Sequence, residues 1–403
     1  MDASRKHTVL LVAEAVTLAH FGRIVSLAKA LDPTKYNIVV ASDPRYLALE
    51  QPFPFTFHPI HSIPSADFTR ALSQGKAAYN VRTLSQYVEE DLALLDRVKP
   101  DLVVGDFRLS LAVSAPLQAV PYATVVNAYW SPFADISYPV PDLPITKLFG
   151  VNLAQRLFDR VRPLAFALHA RPLNKLRRRY GLTPLGHDLR QTYTWADFTL
   201  YADIPEAVPL VGLPPNHLHL GPVLWSAKAP LPEWWDDLPG DKPVAFITLG
   251  SSGQVDRLPQ TLQALEKLPL TIMAATAGRI QLVEQPSNLF ITDFLPIDIA
   301  TGCADLVISN GGNLTTYQAL TAGVPLIGLA TNMDQLLNMQ AVERLGTGML
   351  LRGGKAESID ICATVTTVLE DPSYTKAARR IAEILSQYES SQRFREIVAK
   401  ILQ

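Results

Sequence analysis

Residues 305–328 read Asp-Leu-Val-Ile-Ser-Asn-Gly-Gly-Asn-Leu-Thr-Thr-Tyr-Gln-Ala-Leu-Thr-Ala-Gly-Val-Pro-Leu-Ile-Gly, and Asn332-Met333-Asp334-Gln335 follows soon after. Leu306, Val307 and Ile308 form a short apolar run of the kind a buried parallel strand needs. Asn310-Gly311-Gly312-Asn313 is turn chemistry. Leu314, Tyr317 and Leu320 then recur at helical spacing until Gly323-Val324-Pro325 ends the helix. The order strand, glycine turn, helix aims backbone N–H groups and the positive end of a helix dipole at one point, which suits a phosphate. Glycine lets that phosphate approach the backbone. A second strand, 325–329, leads to Asp334-Gln335, a carboxylate beside an amide, suited to the hydroxyls of a sugar. Each half alone reads equally well as an ordinary βα turn and an ordinary helix start.

Outward from this stretch, the chain is too long at 403 residues for a single core, so two domains are expected. Hydrophobic residues make up 48% and charged residues 18%, which excludes a disordered chain. A net charge of −2 offers no footprint for nucleic acid. Two cysteines without a CxxC spacing argue against a disulfide scaffold or cysteine zinc site and fit a reducing, cytoplasmic compartment. The first apolar run, 8–13, is too short for a signal segment or membrane span and reads as a first strand.

In chain order, that strand leads into a loop carrying His20 and then a helix with Ile24, Leu27, Ala28 and Leu31 on one face. Strand 36–41 completes a βαβ unit. Pro100 to Asp106 is another buried strand, ending in a carboxylate. His20 and Asp106 therefore fall at the carboxyl edges of strands, where open α/β sheets bind ligands. On residues alone, each reads as well as a helix-start residue. Residues 66–99 read as helical, and 127–141 as a long aromatic and proline loop, suited to an acceptor wall or to a packed surface. The 151–180 stretch is amphipathic and basic, with Arg156, Arg160, Arg171, Lys175 and Arg178 among its cations. It reads either as a solvated helix face, the favoured reading, or as a peripheral membrane contact. Phe198–Tyr201 is the expected last strand of the first domain. Trp225 to Asp241 is rich in proline and tryptophan and marks a boundary. The second half restarts with strand 243–249, ending in Gly250-Ser251-Ser252-Gly253, and later runs through Asp293-Phe294-Leu295-Pro296.

The run from Gly311 to Asn338 resembles the donor-sugar signature of family 1 glycosyltransferases. It matches at Gly311, Gly312, Thr315, Ala319, Leu320, Gly323, Val324, Pro325, Asp334, Gln335 and Asn338. It departs where the usual His is Asn310 and the usual Glu is Gln318. The resemblance implies an α/β chain of GT-B fold, two Rossmann-like domains facing a central cleft. Residues 1–221 are then the acceptor domain, 222–241 the linker, 242–385 the nucleotide-sugar domain, and 386–403 a closing helix on the first domain. It further implies an inverting transfer from a UDP- or dTDP-type sugar donor to a hydroxyl-bearing acceptor. His20 is then the general base and Asp106 its partner. Ser251, Ser252, Asn310, Gly311, Gly312, Asn313 and Thr315 hold the diphosphate, and Asp334 and Gln335 the sugar. Phe294 stacks on the base and Leu295 offers backbone bonds to its edge. No cofactor is expected beyond the co-substrate donor. No metal is expected either, since the chain has no Asp-x-Asp motif. Two other readings stay open: a nucleotide-sugar 2-epimerase of the same fold, and a degenerate, non-catalytic activator.

Overall fold

The computed structural model of the chain describes residues 5–250, 257–278, 286–354 and 356–403. It divides into two compact units. The first comprises Met1–Ser137, Phe149–Trp225 and Tyr388–Gln403, and the second Tyr138–Leu148 and Ser226–Gln387.

The first unit is built on seven strands: β1 His7–Ala13, β2 Tyr36–Ser42, β3 Thr56–Pro59, β4 Leu102–Asp106, β5 Tyr122–Val126, β6 Phe198–Tyr201 and β7 His217–His219. Their order is β3-β2-β1-β4-β5-β6-β7, and every pairing is parallel. Val9 to Val12 on β1 and Leu102 to Val104 on β4 are fully buried. Their near-continuous apolar sequence follows, because helices cover both faces of a parallel sheet. Each such side chain contributes about 1.5–3 kcal/mol of transfer free energy. One face packs Ile24, Leu27 and Ala28 of helix Leu18–Ala30 together with Phe394 and Val398 of the last helix, Ser390–Ile401. The other face packs Leu10, Val12 and Val103 against Leu94, Leu95 and Leu111.

The second unit has six strands: β8 Val244–Thr248, β9 Thr271–Ala275, β10 Leu289–Thr292, β11 Leu306–Ser309, β12 Leu326–Ala330 and β13 Gly348–Arg352. Their order, β10-β9-β8-β11-β12-β13, repeats that of the first unit, again with parallel pairings throughout. In both sheets the strand order reverses beside the founding strand, between β1 and β4 and between β8 and β11. A crevice at the carboxyl ends of such a strand pair is where doubly wound sheets bind ligands.

Several local readings differ from the sequence pattern for identifiable reasons. The helical stretch 66–99 is two helices, Ser65–Ser73 and Val81–Val98, separated at Gly75, whose φ of 64° is left-handed. The basic segment belongs to Pro144–Arg179, which bends at Gly150 (φ 76°). β7 lies beyond the expected last strand of its sheet. It is a three-residue, half-buried strand with two histidines, too short and polar to register as one. Tyr138–Leu148 leaves the first unit for the second. There Asp142 accepts from Arg352 Nη1 at 2.9 Å and from the Gly354 N–H at 3.0 Å, and its own N–H donates to the Thr331 carbonyl at 2.9 Å.

Candidate active site

β1 and β4 run in register with Ala13 opposite Asp106. The chain leaving β1 turns into helix Leu18–Ala30, whose third residue is His20. That geometry brings His20 Nδ1 to 2.7 Å from Asp106 Oδ1. Asp106 is buried, its side chain 1% exposed, while His20 keeps 15% of its surface. A neutral imidazole that donates Nδ1–H to the carboxylate presents Nε2 as an acceptor, the arrangement a general base needs.

Sequence reasoning missed the residue that completes this group. Arg23, one turn after His20, donates Nε to Asp106 Oδ2 at 2.8 Å and Nη2 to Oδ1 at 3.0 Å. Its Nη1 donates to Asn127 Oδ1 at 2.6 Å, and Asn127 Nδ2 donates to the Tyr129 hydroxyl at 2.6 Å. Burial disfavours the charged guanidinium, yet the charge and hydrogen bonds of Asp106 outweigh it and hold the Arg23 pKa above its ordinary value. A bidentate fork of this kind fixes the carboxylate in position and direction. The available signal was spacing: residues three apart on a helix share a face.

Phe107, directly after Asp106, has φ 60°, a conformation that costs a non-glycine residue about 1–2 kcal/mol. It carries the ring onto His20, stacked at 5.1 Å between centroids with 5° between planes. Tyr193 meets Phe107 edge-on at 5.3 Å and Trp130 at 5.1 Å. Of the aromatic loop 127–141, Asn127 thus bonds Arg23 and Trp130 joins the ring chain through Tyr193, whereas its end, from Tyr138, groups with the second unit.

Next to this site, Arg108 is buried among three carboxylates, at 3.1 Å from Glu14, 3.0 Å from Asp91 and 2.8 Å from Glu90. Burial pushes the Glu14 and Asp91 carboxyls up, against the lowering effect of Arg108. Glu14 follows β1 and Arg108 follows β4, so the pair ties the two strand ends that carry the site.

In the second unit, β11 runs into Asn310-Gly311-Gly312 and then helix Asn313–Thr321. Gly311 has φ 77°, and a Cβ there would lie 2.7 Å from Met339 Cγ, so only glycine fits without strain. Two of the turn's N–H groups are already engaged: Gly311 donates to Ser309 Oγ at 3.0 Å and Gly312 to Asn310 Oδ1 at 3.1 Å. The N-cap is Gly312, which has no side chain to cap the first helical turn, the turn of Asn313 and Thr315. Across the β8–β11 crevice, a Cβ on Gly250 would lie 3.6 Å from Asn310 Nδ2, so that strand end approaches Asn310 closely. Ser251 and Ser252 lie outside the described residues.

Asn338 Nδ2 donates to the Gly311 carbonyl at 2.9 Å and to Thr316 Oγ1 at 2.8 Å, binding helix Met333–Leu345 to the turn. Asp334 is half-buried in that helix's first turn. Gln335 forms a capping box with Asn332, and its Oε1 also accepts from the Thr331 N–H at 3.0 Å. Its Nε2 is buried with no hydrogen-bond partner among the described residues. Phe294 follows β10 with 36% of its surface exposed, next to Gly278 after β9, while Leu295 is buried.

Each unit therefore carries one furnished crevice, the first with a histidine–carboxylate pair and the second with a glycine turn at a helix start. Residues 252–402 match the family described as erythromycin biosynthesis protein CIII-like, C-terminal domain. A PGL/p-HBAD biosynthesis rhamnosyltransferase of Mycobacterium bovis (strain BCG / Pasteur 1173P2) is 51% identical over 381 residues, covering 94% of this chain and 85% of that protein. A PGL/p-HBAD biosynthesis glycosyltransferase of Mycobacterium tuberculosis (strain ATCC 25177 / H37Ra) is 49% identical over 380 residues, covering 94% and 89%. The solved structure of the spinosyn rhamnosyltransferase SpnG shares the fold, with a TM-score of 0.70 at 18% identity over 97% of this chain and 99% of that one. SpnG has also been solved complexed with thymidine diphosphate, with a TM-score of 0.69 to this chain. The chain belongs to the EryCIII-like, family 1 GT-B glycosyltransferases. Among the described residues, no helix is long and apolar enough to cross a membrane.

Proposed function

We propose that this glycosyltransferase moves a rhamnosyl group, with inversion, from a thymidine-diphosphate-type donor to a hydroxyl on an apolar, aromatic acceptor. The observation that carries the reading is the 2.7 Å contact between His20 and Asp106 at the β1–β4 switch point. His20 Nε2 takes the proton of the acceptor hydroxyl. The freed oxygen pair attacks the anomeric carbon as the bond to the diphosphate oxygen breaks, and that bonding pair leaves on the diphosphate. Attack opposite the leaving group inverts the centre. Asp106 stabilises the imidazolium, and Arg23 keeps Asp106 aimed at it.

The donor reading draws on the second unit. The N-terminus of helix Asn313–Thr321 and Asn310 take the developing diphosphate charge, so the reaction proceeds without a metal. Asp334 and Gln335 hold the sugar hydroxyls, and Phe294 stacks on the base. Rhamnose and thymidine are supported by the name of the 51% identical relative and by the thymidine diphosphate complex of SpnG. Phe107, stacked on His20, and the Tyr193 and Trp130 rings that follow it support an aromatic acceptor. Cys303 and Cys362, both free thiols, are in keeping with a cytoplasmic enzyme.

The intact His20–Asp106–Arg23 group favours a transferase over a degenerate partner. The test is an assay of purified protein with a panel of UDP- and dTDP-sugars and simple phenols, with the product's anomeric configuration read by NMR. A rhamnoside formed from dTDP-rhamnose, with inverted anomeric configuration and release of thymidine diphosphate, is expected. A product of retained configuration, or turnover with UDP-sugars alone, contradicts the reading.

A further inference from the structure

The helix within Pro144–Arg179 is apolar on two sides. Its inner side buries Ala154, Phe158, Phe166 and Ala170. Its outer side carries Leu153, Leu157, Val161, Leu164 and Leu168, each between 42% and 60% exposed. Their spacing of four, four, three and four residues places them on one face, a stripe about 22 Å long at 1.5 Å per residue. Single exposed apolar side chains are ordinary on a globular protein, but five in one line, four leucines and a valine, are a patch. The same spacing continues with Arg171, Lys175 and Arg178, all exposed, while Arg156 and Arg160 flank the leucines. Residues 151–179 hold eight basic residues and one acidic, Asp159. That carboxylate accepts from Gln155 Nε2 at 2.8 Å.

We infer that this outer face docks the enzyme on an anionic lipid bilayer, lying in the plane of the headgroups. The leucine stripe enters the acyl boundary and the arginines stay at headgroup level, their aliphatic stems along the apolar surface. The basic continuation meets the negative surface potential of the leaflet. Charge complementarity selects this occupant. A two-fold contact between copies would set one basic face against another, which repulsion opposes. A membrane-spanning placement would bury the same cations in hydrocarbon. The inference concerns attachment only and does not depend on the identity of the sugar or the acceptor.

Flotation with vesicles of phosphatidylcholine alone or mixed with phosphatidylglycerol tests it. Wild-type protein is expected to float with the mixed vesicles, and less so as salt is raised. The variant Leu153→Glu/Leu157→Glu/Leu164→Glu should lose at least about tenfold in partitioning, with its thermal midpoint and circular dichroism unchanged. Arg171→Glu/Lys175→Glu/Arg178→Glu should lose binding as well, through charge alone. Equal binding to neutral vesicles, no binding to either, or full binding by both variants overturns the inference. So does a wild-type dimer in light scattering that the leucine variant dissolves, which assigns the face to a second copy.

Discussion

The two sheets share one strand order, yet their switch points are furnished in opposite ways. Between β1 and β4 lie His20, Asp106 and Arg23, an ionisable group buried and held by a second charge. Between β8 and β11 lie Gly250, Asn310, Gly311 and Gly312, none of them charged, and the start of helix Asn313–Thr321. One architecture therefore supplies two kinds of site. Side chains that exchange protons need fixed partners and burial. In the proposed reading, backbone that receives a diphosphate needs no Cβ in the way and the positive end of a helix beside it. The difference predicts that damage to the first site appears in the rate and damage to the second in donor affinity.

The largest expected effect is on the first side. His20→Ala should lower the transfer rate by about 10²–10⁴-fold, the range for a positioned general base, as measured by product formation at saturating donor. A rate within a few-fold of wild type would remove His20 from the chemistry. Asp106→Ala should lower the rate and also the stability. It leaves Arg23 as a buried, uncompensated cation, at a cost of about 3–5 kcal/mol, readable in a denaturant titration. If Arg23→Met restored that stability but not the rate, the separation of structural from catalytic roles would be sharpened.

The second side should answer differently. Gly311→Ala forces a side chain into left-handed backbone against Met339, destabilising by about 1–3 kcal/mol and weakening thymidine diphosphate binding in calorimetry. Asn310→His restores the usual family residue and allows a charge-assisted bond to the departing phosphate. A gain of about twofold to tenfold in donor affinity or turnover is expected. No change in either would refute Asn310 as a phosphate ligand.

The smallest effect concerns the buried cluster beside the first site. Burial raises the Glu14 carboxyl, so the folded protein holds that proton at pH values where the unfolded chain has released it. Its contribution therefore falls as pH rises from the ordinary glutamate range through the folded value. Denaturation midpoints at about pH 5 and about pH 8 should drop less for Glu14→Gln than for wild type. An equal drop would mean Arg108 already keeps Glu14 ionised.

The same contrast marks what could be read from the residues alone. Glycine turns and apolar strands are local, so the stretch around Asn310 to Pro325 and the buried run Val9–Val12 announced their elements directly. The pairing of Asp106 with Arg23 spans 83 residues and exists only once β1 and β4 are in register. Arg23 therefore read as one more helix residue. Asp142 and Arg352 are 210 residues apart, and no periodicity signals that Tyr138–Leu148 joins the second unit. The engagement of Gly311 and Gly312 by Ser309 and Asn310 was equally hidden, because turn composition reports which backbone is possible and not which side chain closes it.

The measurement closest to the central claim is a calorimetric titration of thymidine diphosphate into His20→Ala beside wild type. Division of labour between the two switch points predicts dissociation constants within about twofold of each other, despite the loss of transfer. A fall in affinity that parallels the fall in rate would contradict it.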